Sequence, residues 1–221
     1  MNELTQLENG IIGSQNALNE LAAKQNARIL LVSDSHGRRE ILEAIIRHSG
    51  KNCDALIFTG DGAGDFTDCL EKAHEDSNFM QAIPSIAVAV RGNNDASTYP
   101  SPVLGKISIP QSVLLSAAGY KIYAVHGHRQ HVYYGTANME AEAAALGADI
   151  AVFGHTHYPE EFYDKVYIAN AGSCALPRRL SKPGFAIISL TAQEIQTVFY
   201  KMEIHSGVKF VPYIPEIMFQ F

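Results

Sequence analysis

One arrangement recurs along this chain: a short apolar run that breaks off at glycine, aspartate, asparagine or histidine. The first three runs are residues 29–32, 55–58 and 86–90, and none alternates strictly between apolar and polar side chains. Strands of that kind are covered on both faces, as in a largely parallel sheet. Between the first two, Ile41, Leu42, Ile45 and Ile46 fall at helical spacing within residues 38–49. Strand, helix and strand within roughly 30 residues is the length of a right-handed βαβ unit. These spacings predict an α/β fold with helices laid against the sheet.

The same periodicities extend through the rest of the chain. Residues 66–81 read as a second helix, with Asp65 or Thr67 as its cap. Residues 95–110 hold Pro100, Pro102 and Pro110 and read as a loop with a short extended piece. Residues 113–115 and 121–125 flank Gly119-Tyr120 as a hairpin. Residues 138–147 are alanine-rich, helical and stopped by Gly147, and residues 150–153 form another buried strand. Residues 161–169, 185–190 and 194–199 read as antiparallel strands with turns at Asp164-Lys165 and Thr191-Ala192. Residues 1–27 give an N-terminal helical extension outside a core domain of residues 28–204. Ser14 caps its helix, and Leu18, Leu21 and Ala22 fall at helical spacing. The apolar residues 205–221, rich in proline and aromatics, form a C-terminal tail packing on the domain. Extension and tail are the candidate surfaces for a homo-oligomer.

Composition narrows the function. A net charge of −6 and basic runs no longer than Arg38-Arg39 and Arg178-Arg179 argue against a nucleic-acid-coating protein. No apolar run approaches the roughly 18 residues of a membrane span. The first residues lack the basic and apolar regions of a signal peptide. Cys53, Cys69 and Cys174 are odd in number and lack metal-type spacing, so they read as reduced thiols of a cytoplasmic protein.

The chemistry collects where the runs stop. Asp34-Ser35-His36 follows the first, Gly60-Asp61 the second and Gly92-Asn93-Asn94-Asp95 the third. His126-Gly127-His128 follows Val125, and Gly154-His155-Thr156-His157 follows Phe153. In open α/β sheets, ligands bind at the carboxyl ends of the strands. Carboxylates, imidazoles and an amide oxygen without thiolate suit manganese, iron, cobalt, nickel or zinc. The set is too nitrogen-rich for calcium or a typical magnesium site. One such piece alone is ordinary turn chemistry; five in order, each closing a strand, point to a metal site.

The order Asp-x-His, Gly-Asp, Gly-Asn, His and Gly-His-x-His resembles that of the calcineurin-like metallophosphoesterases. It is most similar to their compact bacterial and archaeal phosphodiesterase branch. Three further runs are similar: residues 90–95 (Val-Arg-Gly-Asn-Asn-Asp), His126-Gly127-His128, and Asn170-Ala171-Gly172-Ser173 followed by Pro177-Arg178. The resemblance spans residues 28–190. It implies two facing mixed β-sheets flanked by helices, a four-layer α-β-β-α sandwich. It also implies two divalent transition-metal ions, manganese first, with iron, nickel, cobalt or zinc as alternatives. Asp34, His36 and His157 would hold one ion, Asn93, His126 and His155 the other, and Asp61 would bridge them.

The implied reaction is hydrolysis of small soluble phosphodiesters, and also monoesters, by a hydroxide bridging the two ions. Catalytic roles fall on Asp61, Asn93 and His128. Substrate contacts fall on Asn93, Asn94, His128 and Arg178. The chain departs from the pattern twice. Asn94 stands where many members carry a histidine that protonates the leaving group, which leaves His128 as the candidate for that contact. Ala171 stands where proline is usual and alters only a turn. The alternative is a catalytically weak binding or scaffold protein of the same fold; seven filled ligand positions favour the enzyme. A nuclease would need a basic groove that the sequence lacks.

Overall fold

The computed structural model describes residues 4–204 and 207–216. In chain order the elements are α1 (Gln15–Ala23), β1 (Ala27–Val32), α2 (Arg39–Ser49), β2 (Ala55–Phe58), α3 (Ala63–Glu75), α4 (Ser77–Met80) and β3 (Ile86–Ala89). Then come β4 (Thr98–Ser101), β5 (Gly105–Ser108), β6 (Ser112–Ala117), β7 (Tyr120–Val125), α5 (Ala137–Ala145) and β8 (Ile150–Phe153). The chain closes with β9 (Pro159–Tyr163), β10 (Tyr167–Ala171), β11 (Gly184–Leu190), β12 (Ile195–Ile204) and β13 (Val208–Tyr213).

The strands form two large sheets and a ribbon. One sheet runs β13-β12-β11-β1-β2-β3, the other β6-β7-β8-β10-β9, and β4-β5 stands apart. β1, β2 and β3 are parallel, and β11 lies antiparallel to β1. In the second sheet β8 is parallel to β7 and β10, while β6 and β9 are antiparallel edges. Successive side chains of a strand point to opposite faces, and the packing follows that rule. Ile29 and Leu31 join Ile57, Val88, Ile122 and Val152 in the core between the sheets. Leu30, Val32, Leu56 and Phe58 join Leu42, Ile45, Phe66 and Leu70 of α2 and α3 on the outer face. Beyond the second sheet, Tyr123, Ala151 and Phe153 pack on Met139 and Ala143 of α5. The order is helix, sheet, sheet, helix, the four-layer α-β-β-α sandwich that the family resemblance implied. The parallel β1, β2 and β3 present their carboxyl ends on one side, as do β7 and β8.

The structure differs from the sequence reading in four places. The helix expected over residues 66–81 begins at Ala63 and is interrupted at Asp76, which caps α4 by accepting from Asn78 N and Phe79 N. Neither Asp65 nor Thr67 caps α3, since both lie inside it. Residues 95–110 hold the β4–β5 hairpin rather than a loop; a two-stranded ribbon is all edge, where proline is tolerated. The N-terminal segment is not outside the core. Ile12 pairs with Ala87 of β3 through two backbone hydrogen bonds and covers that sheet edge. Ile11 and Leu21 are buried in the inter-sheet core, and Ser14 does cap α1. The tail extends the first sheet, because Val208–Tyr213 pairs along β12. Residues 205–206 and 217–221 of that tail lie outside the described residues.

Cys53, Cys69 and Cys174 are free and buried. Burial pushes the Cys53 thiol up to about 11 and that of Cys69 to about 12, so both are inert. Among the described residues no helix is long and apolar enough to cross a membrane.

Candidate metal centre

Where the strands end, the backbone turns into an unusual conformation. Asp34 (φ 56°), His36 (47°), Asp61 (56°), His155 (68°) and His157 (65°) all sit in the left-handed region. Non-glycine residues rarely adopt it, and such residues collect at functional sites where surrounding contacts hold them. Those contacts are visible here. Asp95 accepts four backbone N–H groups, from Asp61 and Gly92 on Oδ2 and from Gly62 and Ala63 on Oδ1. It therefore caps α3 from a distant loop and fixes the Asp61 turn at the same time. Asp65 accepts from Ser35 Oγ and Gly37 N, fixing the first turn. Asn170 donates to the Gly154 carbonyl and to Thr156 Oγ1, fixing the last.

Asp34 is fully buried at the end of β1. Its Oδ2 accepts from Ser33 Oγ at 2.5 Å and from His155 N at 3.1 Å. Its Oδ1 has no hydrogen-bond partner among the described residues. That oxygen lies 3.3 Å from His157 Nε2 and 3.8 Å from His36 Nε2. One ligand atom from each of Asp34, His36, Asp61 and His157 falls within 4.8 Å of the others. His157 Nδ1 meets the Leu176 carbonyl at 2.7 Å, and His126 Nδ1 meets the Thr59 carbonyl at 2.7 Å. A carbonyl can only accept, so Nδ1 carries a proton, and each ring turns its Nε2 to the site, bare whenever the ring is neutral. An orphaned buried carboxylate oxygen beside such nitrogens is a fitting donor set for a divalent cation.

Asp61 stands between the two groups of candidate ligands. Its Oδ2 lies 3.8 Å from His36 Nε2 and 3.6 Å from His126 Nε2. Asn94 holds it, donating its N–H to Oδ1 at 2.8 Å and its side-chain amide to Oδ2 at 2.6 Å. Burial alone would raise the Asp61 carboxyl; His126 and the Asn94 donors outweigh it and hold it well below the usual carboxylate range. Burial also opposes protonation of His126 and His157, yet Asp61 and Asp34 hold both above the ordinary histidine value. Burial lowers His155 to about 4, with nearby His126 adding to the effect.

The second group is also together. Asn93 Oδ1 is 3.1 Å from His126 Nε2, and the His126 and His155 rings are 5.0 Å apart. His128 lies beside them, 5.4 Å from the His126 ring and 6.0 Å from that of His155. Arg178 is tied to the histidine turn twice. Its N–H donates to the His157 carbonyl, and its guanidinium donates to the Tyr133 hydroxyl, which donates to the His155 carbonyl. The structure thus gathers every candidate site residue, with Asn94 turned to Asp61. Sequence reasoning missed Asp95, Asp65 and Tyr133 as supports; Asp95 stood in plain view at the end of residues 90–95.

Two glycines permit the close packing. A Cβ on Gly92 would lie 2.1 Å from Asp61 Oδ1, and one on Gly154 would lie 2.0 Å from Ser33 Oγ. Either would displace a carboxylate that the site needs.

Glu160, three residues past His157, gives a pH signature. Burial pushes its carboxyl up to about 7, against the opposing charge of Arg179. A raised folded pKa means that the folded state binds the extra proton between the ordinary value near 4.5 and 7. That contribution is complete below about 4.5 and is lost as pH rises through 7. Glu160→Gln should therefore be more stable than the parent at pH 8, by roughly 2 kcal/mol and with a higher melting temperature, and no different from it at pH 4. Equal melting temperatures at both pH values would show that Glu160 is ordinarily solvated.

Residues 28–193 match the family model of the calcineurin-like phosphoesterase superfamily domain. The probable metallophosphoesterase YsnB of Bacillus subtilis is 32% identical over 174 residues, covering 78% of this chain and 89% of its own length. The phosphodiesterase YfcE of Escherichia coli is 25% identical over 158 residues, 68% of this chain and 81% of its own. Among solved structures, a predicted phosphoesterase of Streptococcus pneumoniae superposes with a TM-score of 0.63 at 22% identity, covering 86% of this chain and all (100%) of its own. The zinc complex of the vacuolar protein sorting 29 protein of Entamoeba histolytica does so with a TM-score of 0.59 at 17% identity, covering 84% and 98%. These two likenesses are of fold.

Proposed function

The chain belongs to the calcineurin-like phosphoesterase superfamily, and on that footing we propose that it hydrolyses small soluble phosphodiesters at a two-metal centre. It is a metallophosphoesterase of a divalent-metal-dependent family. The finer reading assigns one ion to Asp34, His36 and His157, the other to Asn93, His126 and His155, and a bridging role to Asp61. Manganese is our first candidate for both. Bound there, such ions activate water at neutral pH and neutralise phosphate charge. The protein's own groups do the remaining work. Asp61 has its Oδ2 near histidines of both groups and is kept ionised by its neighbours. Asn93 offers a neutral oxygen and so limits negative charge where an anion must dock. Arg178, anchored through Tyr133, supplies a cation for a phosphate oxygen. His128 is the group we assign to the leaving oxygen, since Asn94 is engaged with Asp61.

The observation that carries this reading is the Asp34 carboxylate, whose Oδ1 lies between two imidazole Nε2 atoms with no hydrogen-bond partner among the described residues. Chelator-treated protein should lose hydrolysis of bis(4-nitrophenyl) phosphate and regain it with manganese. Its melting temperature should rise by about 5–10 °C with ion at a hundredfold excess over Kd. Ion affinity should rise with pH, because His126 and His157 hold protons that the ion must displace. Undiminished turnover in metal-free buffer would refute the mechanism. Tight ion binding with no turnover of any diester would favour the scaffold alternative.

A further inference from the structure

A cavity opens beside the candidate metal ligands. It has a volume of about 380 Å³, and its lining includes His126 and His128 of the site together with Ser112, Tyr123, Gln130 and Glu142. Arg129 also lines it and is exposed. Every side chain that lines it carries a hydrogen-bonding group. Such a space cannot seat a hydrocarbon chain, which would leave these groups desolvated and unpaired. It is large enough for a group the size of a sugar ring.

Its floor is built rather than incidental. Tyr123 and Gln130 are 4% and 9% exposed, and burying a phenol and an amide requires partners. Both donate to one atom, Glu142 Oε2, at 2.6 and 2.8 Å. Glu142 itself is exposed, so its carboxylate is open to solvent and to a ligand. At the junction with the metal centre, His128 Nδ1 is buried and likewise has no partner among them. The cavity therefore offers the Glu142 carboxylate as an acceptor, the His128 imidazole, the Tyr123 hydroxyl as an acceptor and the Ser112 hydroxyl as donor or acceptor.

We propose that this cavity is the subsite for one ester arm of the substrate, and that the arm it takes is a polyhydroxylated alcohol of the glycerol or sugar type. The inference rests on the metallophosphoesterase reading and names the substrate class within it. A hydroxylated arm fits because each hydroxyl supplies a donor to Glu142 and an acceptor for Gln130 or Ser112. A site made to bond hydroxyls discriminates against an arm that lacks them far more than an apolar pocket discriminates by size.

The test compares three diesters of 4-nitrophenyl phosphate, with methyl, glyceryl and 2-aminoethyl as the second arm, on the full chain loaded with manganese. The glyceryl ester should exceed the methyl ester in kcat/KM by about tenfold, mostly through KM. That ratio should shrink to about twofold in Glu142→Gln, Tyr123→Phe and Ser112→Ala. Calorimetric Kd values for glycerol 3-phosphate and methyl phosphate should show the same ratio and the same loss.

Equal turnover of methyl and glyceryl esters by the parent would overturn the subsite and leave the metallohydrolase standing. Preference for the aminoethyl arm would overturn the hydroxylated class, since Glu142 would then be pairing an ammonium. Variants that only lower the melting temperature, with the ratio intact, would make Glu142 a tie between α5 and β7 and end the proposal. Absence of turnover with tenfold tighter glycerol 3-phosphate binding would sink the hydrolytic reading and keep the subsite. Absence of both would sink the two together.

Discussion

Asp61→Asn is expected to lower diester turnover by roughly a thousandfold, on the order of 4 kcal/mol of barrier. The substitution conserves shape, so the loss isolates charge and ligation. Asp61 Oδ2 faces His36 Nε2 at 3.8 Å and His126 Nε2 at 3.6 Å, and it also accepts the Asn94 amide at 2.6 Å. If an NH2 group takes that place, two amide donors confront each other and no lone pair remains for an ion. If the amide flips, the Asn94 backbone N–H meets the NH2 instead, because it is bonded to Oδ1 at 2.8 Å. Neither orientation restores the parent. Turnover and elemental analysis should be read on the same sample, with expected ion content falling from two per chain. A variant that keeps two ions and a near-native rate would remove Asp61 from the bridging role.

Asp95→Ala should be the most destabilising single change at the site, although Asp95 is not among the assigned ligands. Its carboxylate is the shared acceptor of the N–H groups of Asp61, Gly62, Ala63 and Gly92. Truncation leaves four donors to find water at the start of α3 and in the turn that carries Asp61. Bonds to a charged acceptor are worth more than neutral ones, and partial rehydration returns some of the loss. About 3 kcal/mol is a reasonable net figure. For a chain of this size that lowers the melting temperature by about 6–12 °C. Metal-free protein is the proper sample, since bound ions would mask part of the loss. The same variant should bind ions more weakly, because the Asp61 turn loses its tether. A drop within about 2 °C would show that water replaces the carboxylate at little cost.

These two residues mark the border of what the sequence makes legible. Asp61 is readable because it closes an apolar run and carries its chemistry locally. Three of the four N–H groups that Asp95 accepts lie 32 to 34 residues away, and no local pattern reports where those N–H groups point. The same applies to the bond between Asp34 and His155, which spans 121 residues. Layer order was not readable from the apolar runs and came only with the family resemblance, because β1 and β2 are apolar on both faces and their division between two cores shows only once both sheets are in place. β13 was hidden by Pro212, which speaks against a strand. At the sheet edge that proline costs no ladder bond on its open side. Ile11 and Ile12 look like a stray apolar pair until β3 is seen to need a cover. Tyr133, in the loop between β7 and α5, belongs to no periodicity at all.

The left-handed backbone at five candidate ligand positions has a consequence for how this sequence can change over evolutionary time. Each such residue carries a conformational cost of roughly 1–2 kcal/mol that a glycine would not. Residues 34, 36, 61, 155 and 157 therefore answer to two demands at once, donor chemistry and backbone geometry. While ion binding is selected, the first demand overrides the second. Once it is not, glycine and asparagine become the favoured replacements at these five positions. Asn93 and His126 lie outside the left-handed region, and their positions would accept a wider range. Descendants that had abandoned catalysis would thus differ from the parent in a directed way, with glycine accumulating where the ligands had stood.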